Sequence, residues 1–312
     1  MNISRNTFHH DNLFTIGVEE EYMICDSKSG ELINKAEQIM TLIPDTLKER
    51  FSYELLLSEI ESNTPICESS TEALNCLTLQ RNELRSIGRN IGFKLGISGT
   101  HPTALASEQN FVTNESYNWV SNQLKEYAKQ NITFSIHVHI GLDGEETIIK
   151  VLNRANGWIA PFIALSANSP YFEGEETGLA STRTKIFEGL PNTGIPVSLT
   201  NYSEFQKFMR TLIGANSIES IREIWWDVRP HPRYGTVEIR ICDSIPNLLH
   251  IKDFTALIQT LVVGLANHYK NGTQLPYLDS WVIYENKWRA TRYGMDAKLI
   301  IDSDGSQEHI SE

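Results

Sequence analysis

Four separate stretches of the chain alternate apolar and polar positions with period two, the mark of strands with one face on a core and the other exposed to chemistry. Leu13–Cys25 (LFTIGVEEEYMIC) starts as an apolar run, alternates, and stops at the turn-forming Asp26-Ser27-Lys28-Ser29-Gly30, which predicts a strand. Tyr53–Thr64 (YELLLSEIESNT) is a second extended segment, closed by Pro65, and Thr133–Leu142 (TFSIHVHIGL) is a third. Glu223–Val228 and Thr236–Cys242 flank a turn over Arg229–Gly235, and a short strand is expected at Lys94–Ser98. The helical period appears from Ser69, where Ser69 and Glu72 make a capping-box pattern and Leu74, Leu77, Leu84, Ile87 and Ile91 share a face. Further helices are expected at Glu115–Lys129, at Glu145–Asn168 with Pro161 kinking or restarting it, at Leu248–Tyr269 and at Trp281–Tyr293.

These elements interleave without a regular βαβ rhythm, and the strands carry charge on one face only. The pattern fits an α+β fold in which helices cover one face of an antiparallel or mixed sheet and the other face stays open. Pro170–Thr200, rich in Gly, Pro, Thr and Ser, reads as a functional loop or lid. One catalytic domain over residues 1–300 is expected, followed by a frayed polar tail over 301–312.

Charge changes the picture in one respect. With 27 basic and 39 acidic residues the chain carries −12, so neither nucleic acid nor an anionic membrane is an expected partner, and any anionic ligand must be held locally. Cys25, Cys67, Cys76 and Cys242 form no CxxC pair and read as reduced, buried thiols. The N-terminal stretch has no signal-type apolar region, and no run approaches the ~18 apolar residues of a membrane span. A soluble, cytoplasmic protein is therefore expected.

The candidate chemistry lies on the polar strand faces. Period two puts Glu19 and Glu21 on one side with Glu20 on the other, the two carboxylates about 6–7 Å apart. Glu59 and Glu61 share a face in the next strand, near Glu54; His137 and His139 alternate with Ile136, Val138 and Ile140; Glu238 and Arg240 alternate with Val237, Ile239 and Ile241. For each pair alone, a solvated strand face or a structural histidine is an equally simple account. Together they describe a sheet face dominated by carboxylates with imidazole secondary, which suits Mg²⁺ or Mn²⁺ better than a closed zinc site. Arg183 and Lys185 in the loop, Arg229, Arg233 and Arg240 around the hairpin, and Arg289 and Arg292 near the end offer forks for phosphate or carboxylate. No GxxxxGK[ST], GxGxxG after a strand or GxSxG is present, so a bound nucleotide is held through metal ions rather than a P-loop.

The segments GVEEEYM, ELLLSEIESNTPIC, GTHP, HVHIG, RTKIFEGLPNTGIP, WWDVRPHPRYGTVEIRICD and NKWRATRYGMDA, in order from Gly17 to Ala297, resemble the carboxylate–amine ligases of the second glutamate–cysteine ligase family, within the glutamine synthetase-like superfamily. The resemblance implies an antiparallel sheet whose open face binds Mg²⁺ or Mn²⁺ with ATP. It also implies a reaction in which the γ-carboxylate of glutamate takes a phosphoryl group and an amine such as cysteine captures the acyl phosphate. Carried over, Glu19, Glu21, Glu54, Glu61, His137 and Glu238 match metal positions. Arg240 and Arg233 with Glu238 are the catalytic set, and Arg183, Lys185, Arg289, Arg292 and His139 hold substrate or nucleotide. A homodimer is the expectation for the family. Departures from its pattern fall at His231, Lys287 and Asn192, which bear on the amine pocket. A metal-assisted hydrolase and a non-catalytic nucleotide- or amino-acid-binding paralogue are the alternative readings. The missing HExxH speaks against the first, and the full set of carboxylates and histidines against the second.

Overall fold

A computed structural model of the chain describes residues 12–112, 123–125, 128, 130–273 and 277–312. Its centre is a seven-stranded sheet, and every pairing within it is antiparallel. The strands are β1 (Ile16–Asp26), β2 (Phe51–Tyr53), β3 (Glu59–Asn63), β4 (Phe93–Gly96), β5 (Ile136–Gly141), β6 (Val228–His231) and β7 (Thr236–Ile239), in the order β6-β7-β5-β1-β3-β2 with β4 paired to the second half of β1.

Alternation decides what each face carries. Ile16 and Val18 from β1, Ile136, Val138 and Ile140 from β5, and Val237 and Ile239 from β7 are all essentially sealed from water in one continuous core. Against them pack α2 (Ser70–Ile91), α3 (Glu145–Ala155) and α7 (Leu248–Lys270). The remaining helices are α1 (Ala36–Leu42), α4 (Ile159–Ser166), α5 (Thr182–Phe187), α6 (Tyr202–Gly214) and α8 (Ser280–Tyr293). The expected α+β sheet with helices on one face is therefore observed. α7 is the one described helix long and apolar enough to cross a membrane, and its Ile251, Phe254, Thr255, Ile258, Val262, Leu265 and Ala266 are buried in the core instead.

Helix ends follow local chemistry. The Ser69 side chain accepts from the Glu72 amide at the start of α2, and Gly92 ends that helix in the left-handed region at φ 79°. The helix expected over residues 145–168 is two helices joined by a 3₁₀ turn at Asn156–Trp158. Pro161 sits in the first turn of α4, where its missing N–H costs nothing. The expected strand over 53–64 is likewise two strands, β2 and β3, separated by the turn containing Glu54. The helix expected at 115–129 falls largely outside the described residues.

The segment 170–200, expected as a functional loop or lid, holds α5 and short pairings, and the buried Asp243 carboxylate ties the residues that precede it to Ser181 within it. That carboxylate accepts from the Asn168 amide (2.9 Å), the Ser169 hydroxyl (2.7 Å) and the Ser181 hydroxyl (2.8 Å). Where a frayed tail is expected, strands β8 (Lys298–Ile300) and β9 (Gln307–His309) form a hairpin. The four cysteines are free thiols, and all but Cys76 are buried, as expected.

Candidate active site

The open face of the sheet is the floor of a cleft of about 1230 Å³. Register, more than spacing within a strand, assembles it. Glu19 stands opposite His137, Glu21 opposite Glu61, and Glu238 opposite His139, with Arg229 opposite Glu238 across the hairpin. Four strands far apart in sequence thus bring Glu19, Glu21, Glu61, His137, His139 and Glu238 onto one surface, joined by Glu54 from the β2–β3 turn.

The floor is divided by charge. On the β2–β3 side, Glu21, Glu54 and Glu61 place one carboxylate oxygen each within 4.8 Å of one another. Glu59, only 3% exposed, borders the same group. No lysine or arginine makes an ion pair with any of these four among the described residues. Burial, and then mutual repulsion, pushes the Glu54 and Glu59 carboxyls well above the usual carboxylate range and Glu61 to about 7. Ser52 (2.7 Å) and Asn63 (2.9 Å) donate to Glu61, which fixes its position without neutralising it.

On the β7 side the carboxylates are already matched. Arg229 donates to Glu238 from Nε (2.8 Å) and from a terminal nitrogen (3.1 Å), and Arg240 also donates to it. Burial alone would raise the Glu238 carboxyl, but these two guanidiniums hold it well below its ordinary value. Glu19 is held low in the same way, against the effect of burial, by His139 and His137. The buried Nε of Arg240 has no protein partner, so a cationic donor on the cleft wall is unsatisfied.

The two histidines differ in which ring nitrogens the protein already uses. His137 uses both ring nitrogens within the protein: Nδ1 faces Glu19 at 3.0 Å and Nε2 faces the Ser135 hydroxyl at 2.8 Å. Ser135 in turn donates to Glu21 from its hydroxyl (2.6 Å) and its amide (2.5 Å), so His137 and Ser135 orient Glu19 and Glu21. His139 anchors Nδ1 on the Thr236 hydroxyl at 2.9 Å and leaves Nε2 buried without a hydrogen bond, 3.2 Å from Glu19 and 3.8 Å from Glu238. Glu19, His139 and Glu238 form the second group able to hold a cation.

Both groups fit a divalent metal. The carboxylate-only set suits Mg²⁺ or Mn²⁺, and an unpaired buried imidazole nitrogen beside two carboxylates is a ligand atom in waiting.

Of the expected phosphate or carboxylate binders, Arg183, Arg233 and Arg240 line the cleft. Arg183 is 2% exposed; it donates to the carbonyls of Ile241 (2.9 Å) and Arg240 (3.2 Å) and keeps Nε without a partner. Lys185, Arg289 and Arg292 do not line it. Lys185 pairs with Glu188, Arg289 with Glu285, Gln307 and the Lys298 carbonyl, and Arg292 with the Gly178 carbonyl. Of the three departures from the family pattern, only His231 reaches the cleft, stacked on Tyr234 with ring centroids 4.2 Å apart. Lys287 is buried in ion pairs with Asp227 and Glu188, away from it. Asn192 lies outside it as well, its backbone carbonyl accepting from the Trp225 amide.

Period two already puts Glu59 on the face of Glu61, and Arg229 is among the expected forks, but its partner Glu238 is set by the hairpin register. Ser135 has no sequence signal, because its contact with Glu21 depends on the pairing of distant strands.

Residues 15–312 match glutamate–cysteine ligase family 2 (GCS2). A Frankia alni protein named "Putative glutamate–cysteine ligase 2-1" is 38% identical over 302 residues, covering 96% of this chain and 79% of its own length. The Haloferax volcanii glutamate–cysteine ligase is 37% identical over 308 residues, covering 96% and 85%. In fold, the chain is similar to the glutamate–cysteine ligase of Francisella tularensis solved with AMP, with a TM-score of 0.61, 12% identity and coverage of 95% of this chain and 75% of that one. It is also similar to the bifunctional glutathione synthetase of Pasteurella multocida, with a TM-score of 0.67, 14% identity and 90% of this chain covered, but it spans only 42% of that protein.

Proposed function

The chain belongs to glutamate–cysteine ligase family 2, whose members are ATP-dependent carboxylate–amine ligases, and from that premise we propose that it activates the γ-carboxylate of glutamate as an acyl phosphate and transfers the acyl group to an amine, with cysteine the first candidate. The observation that carries this reading is the division of the cleft floor into an uncompensated acidic half and an arginine-rich half.

Glu21, Glu54 and Glu61 would hold one divalent cation and Glu19, His139 and Glu238 another. Bound there, Mg²⁺ or Mn²⁺ supplies charge neutralisation for the ATP phosphates. The protein's own part is positioning and electrostatics. Arg240, held by Glu238, which Arg229 holds in turn, lines the cleft with its Nε unpaired, where negative charge would develop as the γ-phosphoryl group passes from ATP to the glutamate carboxylate and ADP leaves. Because Glu238 and Arg229 fix that guanidinium beforehand, little reorganisation accompanies transfer. Arg233, on the exposed hairpin turn, and Arg183, beside Arg240, would serve phosphate or the glutamate α-carboxylate.

The test is release of ADP and phosphate from ATP with Mg²⁺ or Mn²⁺ and glutamate, in the presence of cysteine, other amines, or hydroxylamine as a trap. Formation of γ-glutamyl hydroxamate that disappears in Glu238→Ala is expected. Nucleotide binding without turnover for any carboxylate would overturn the ligase reading in favour of a binding or regulatory relative.

A further inference from the structure

On the other side of α5 from Arg183 lies a second cavity, of about 290 Å³, whose walls include Lys185, Glu188, Tyr284, Lys287, Trp288 and Thr291. Tyr284, Lys287, Trp288 and Thr291 follow the i, i+3, i+4, i+7 pattern, so one face of α8 forms one wall and α5 with its C-terminal Glu188 the other.

This cavity is polar in an uneven way. Lys287, 3% exposed, is fixed by Asp227 at 2.6 Å and Glu188 at 2.9 Å. The other Glu188 oxygen receives Lys185, so both oxygens of the carboxylate facing the cavity are occupied. Donors, by contrast, are in surplus. Lys185 has a single carboxylate partner for three N–H groups, and the hydroxyl of Thr291, a residue 1% exposed, is buried with no partner at all. Trp288 and Tyr284 present half-exposed rings, and the Lys185 ammonium lies 5.8 Å from the Trp288 ring centroid.

We propose that this cavity is a binding site, distinct from the cleft, for a small organic monocarboxylate with an apolar or aromatic body: the carboxylate is received by Lys185 and the Thr291 hydroxyl, and the body lies against Trp288 and Tyr284. Three features select that class. Spare ammonium N–H groups on Lys185 beside a buried hydroxyl without a partner call for an acceptor group. Lys185 is 45% exposed in its side chain, so its surface pair with Glu188 is weak and exchanging it for a ligand carboxylate costs little. A dianion such as phosphate would instead confront Glu188 and Asp227 with no additional cation, and the aromatic walls would stay uncovered. The volume admits a molecule of amino-acid size and excludes a nucleotide.

The experiment is calorimetric titration of the full chain with benzoate, alongside benzamide as the neutral isostere and inorganic phosphate. Saturable one-site binding of benzoate is expected, with benzamide and phosphate each about tenfold weaker, and with Lys185→Met and Thr291→Val each weakening benzoate about fivefold. Trp288→Ala should weaken it similarly, while a saturating non-hydrolysable ATP analogue with Mg²⁺ leaves it unchanged. Circular dichroism of Lys185→Met and Thr291→Val reports that both variants are folded. Absence of saturation below about 50 mM overturns the proposal. So does affinity that is indifferent to both Lys185→Met and Thr291→Val, phosphate binding tighter than benzoate, or competition by the nucleotide analogue, which would assign the binding to the cleft. None of these outcomes depends on ligase turnover.

Discussion

Replacing Arg81 by methionine tests what holds β1 in place beneath the cleft. Glu20, between the two cleft carboxylates Glu19 and Glu21, points the other way and is fully sealed from water, as is Arg81 of α2 at 1% exposure. Arg81 donates to Glu20 through Nε (3.2 Å) and a terminal nitrogen, and to the carbonyls of Ile245 (2.8 Å) and Pro246 (2.6 Å); the Tyr22 hydroxyl also donates to Glu20. Arg81→Met leaves a buried carboxylate without its cation, which costs about 3–5 kcal/mol, a large part of the 5–15 kcal/mol typical of a folded protein. In a chain of this size the melting temperature should fall by about 5–10 °C. The double variant Arg81→Met/Glu20→Leu removes the stranded charge and should recover at least half of the loss. The remainder, about 1–2 kcal/mol, reflects the two orphaned carbonyls, while Tyr22 keeps Ser62 at 3.1 Å. Urea unfolding followed by circular dichroism measures all three proteins. A single-variant loss below about 1 kcal/mol, or a double variant no more stable than the single one, would refute the assignment of this pair as a buried clamp.

Other expectations follow from the same geometry. Arg240→Lys keeps the charge but loses the fork, so turnover should drop about 10²–10³-fold with the urea midpoint nearly unchanged; an unaltered rate would remove Arg240 from the transfer step. Mg²⁺ or Mn²⁺ at about a hundred times the Kd of the Glu21–Glu54–Glu61 group should contribute roughly 2.7 kcal/mol from that group in differential scanning calorimetry, and Glu54→Gln/Glu61→Gln should remove that contribution while leaving any from Glu19, His139 and Glu238. Burial would raise the Glu188 carboxyl, but Lys287 first and then Lys185 hold it below its ordinary value. Its stabilising contribution is therefore complete above about pH 4.5 and lost as pH falls through the lower folded value. Glu188→Gln should destabilise at pH 7 and progressively less as pH falls below about 4.5, and a gap that widened toward acid would show the sign to be wrong.

What the sequence disclosed and what it withheld divide along a physical line. Face assignment came from period two, which is local: Glu19 and Glu21 against Glu20, His137 and His139 against Ile136 and Val138, and Glu238 against Val237 all fall on the faces that alternation predicts. Partner assignment requires register, which no local pattern carries. Both histidines project into the cleft, yet only the pairing of β5 with β1 and β7 decides that His137 is consumed by Glu19 and Ser135 while His139 keeps a free nitrogen. The same limit explains Lys185, Arg289 and Arg292. Arg and Lys near Gly and Trp were read as ligand-binding by type, but a two-residue step along α5 separates Arg183 in the cleft from Lys185 outside it. The terminal hairpin was missed for another reason: its strands are three residues each, too short for polar composition to betray them.

The division of the cleft floor also accounts for the two kinds of carboxylate found there. A buried carboxylate can be stabilised by a fixed cation or by a mobile one, and the two choices have different functional meanings. Glu238 has fixed cations, Arg229 and Arg240, and so acts as a scaffold that aligns Arg240. Glu21, Glu54, Glu59 and Glu61 make no ion pair with a lysine or arginine among the described residues, and burial, then mutual repulsion, raises the proton affinity of Glu54, Glu59 and Glu61. A protein that wanted only stability would have placed an arginine there, as it did behind the sheet at Arg81. The acidic half is instead left without a lysine or arginine ion pair among the described residues, and it is on this difference that the proposed binding of a divalent cation with the anionic substrate rests.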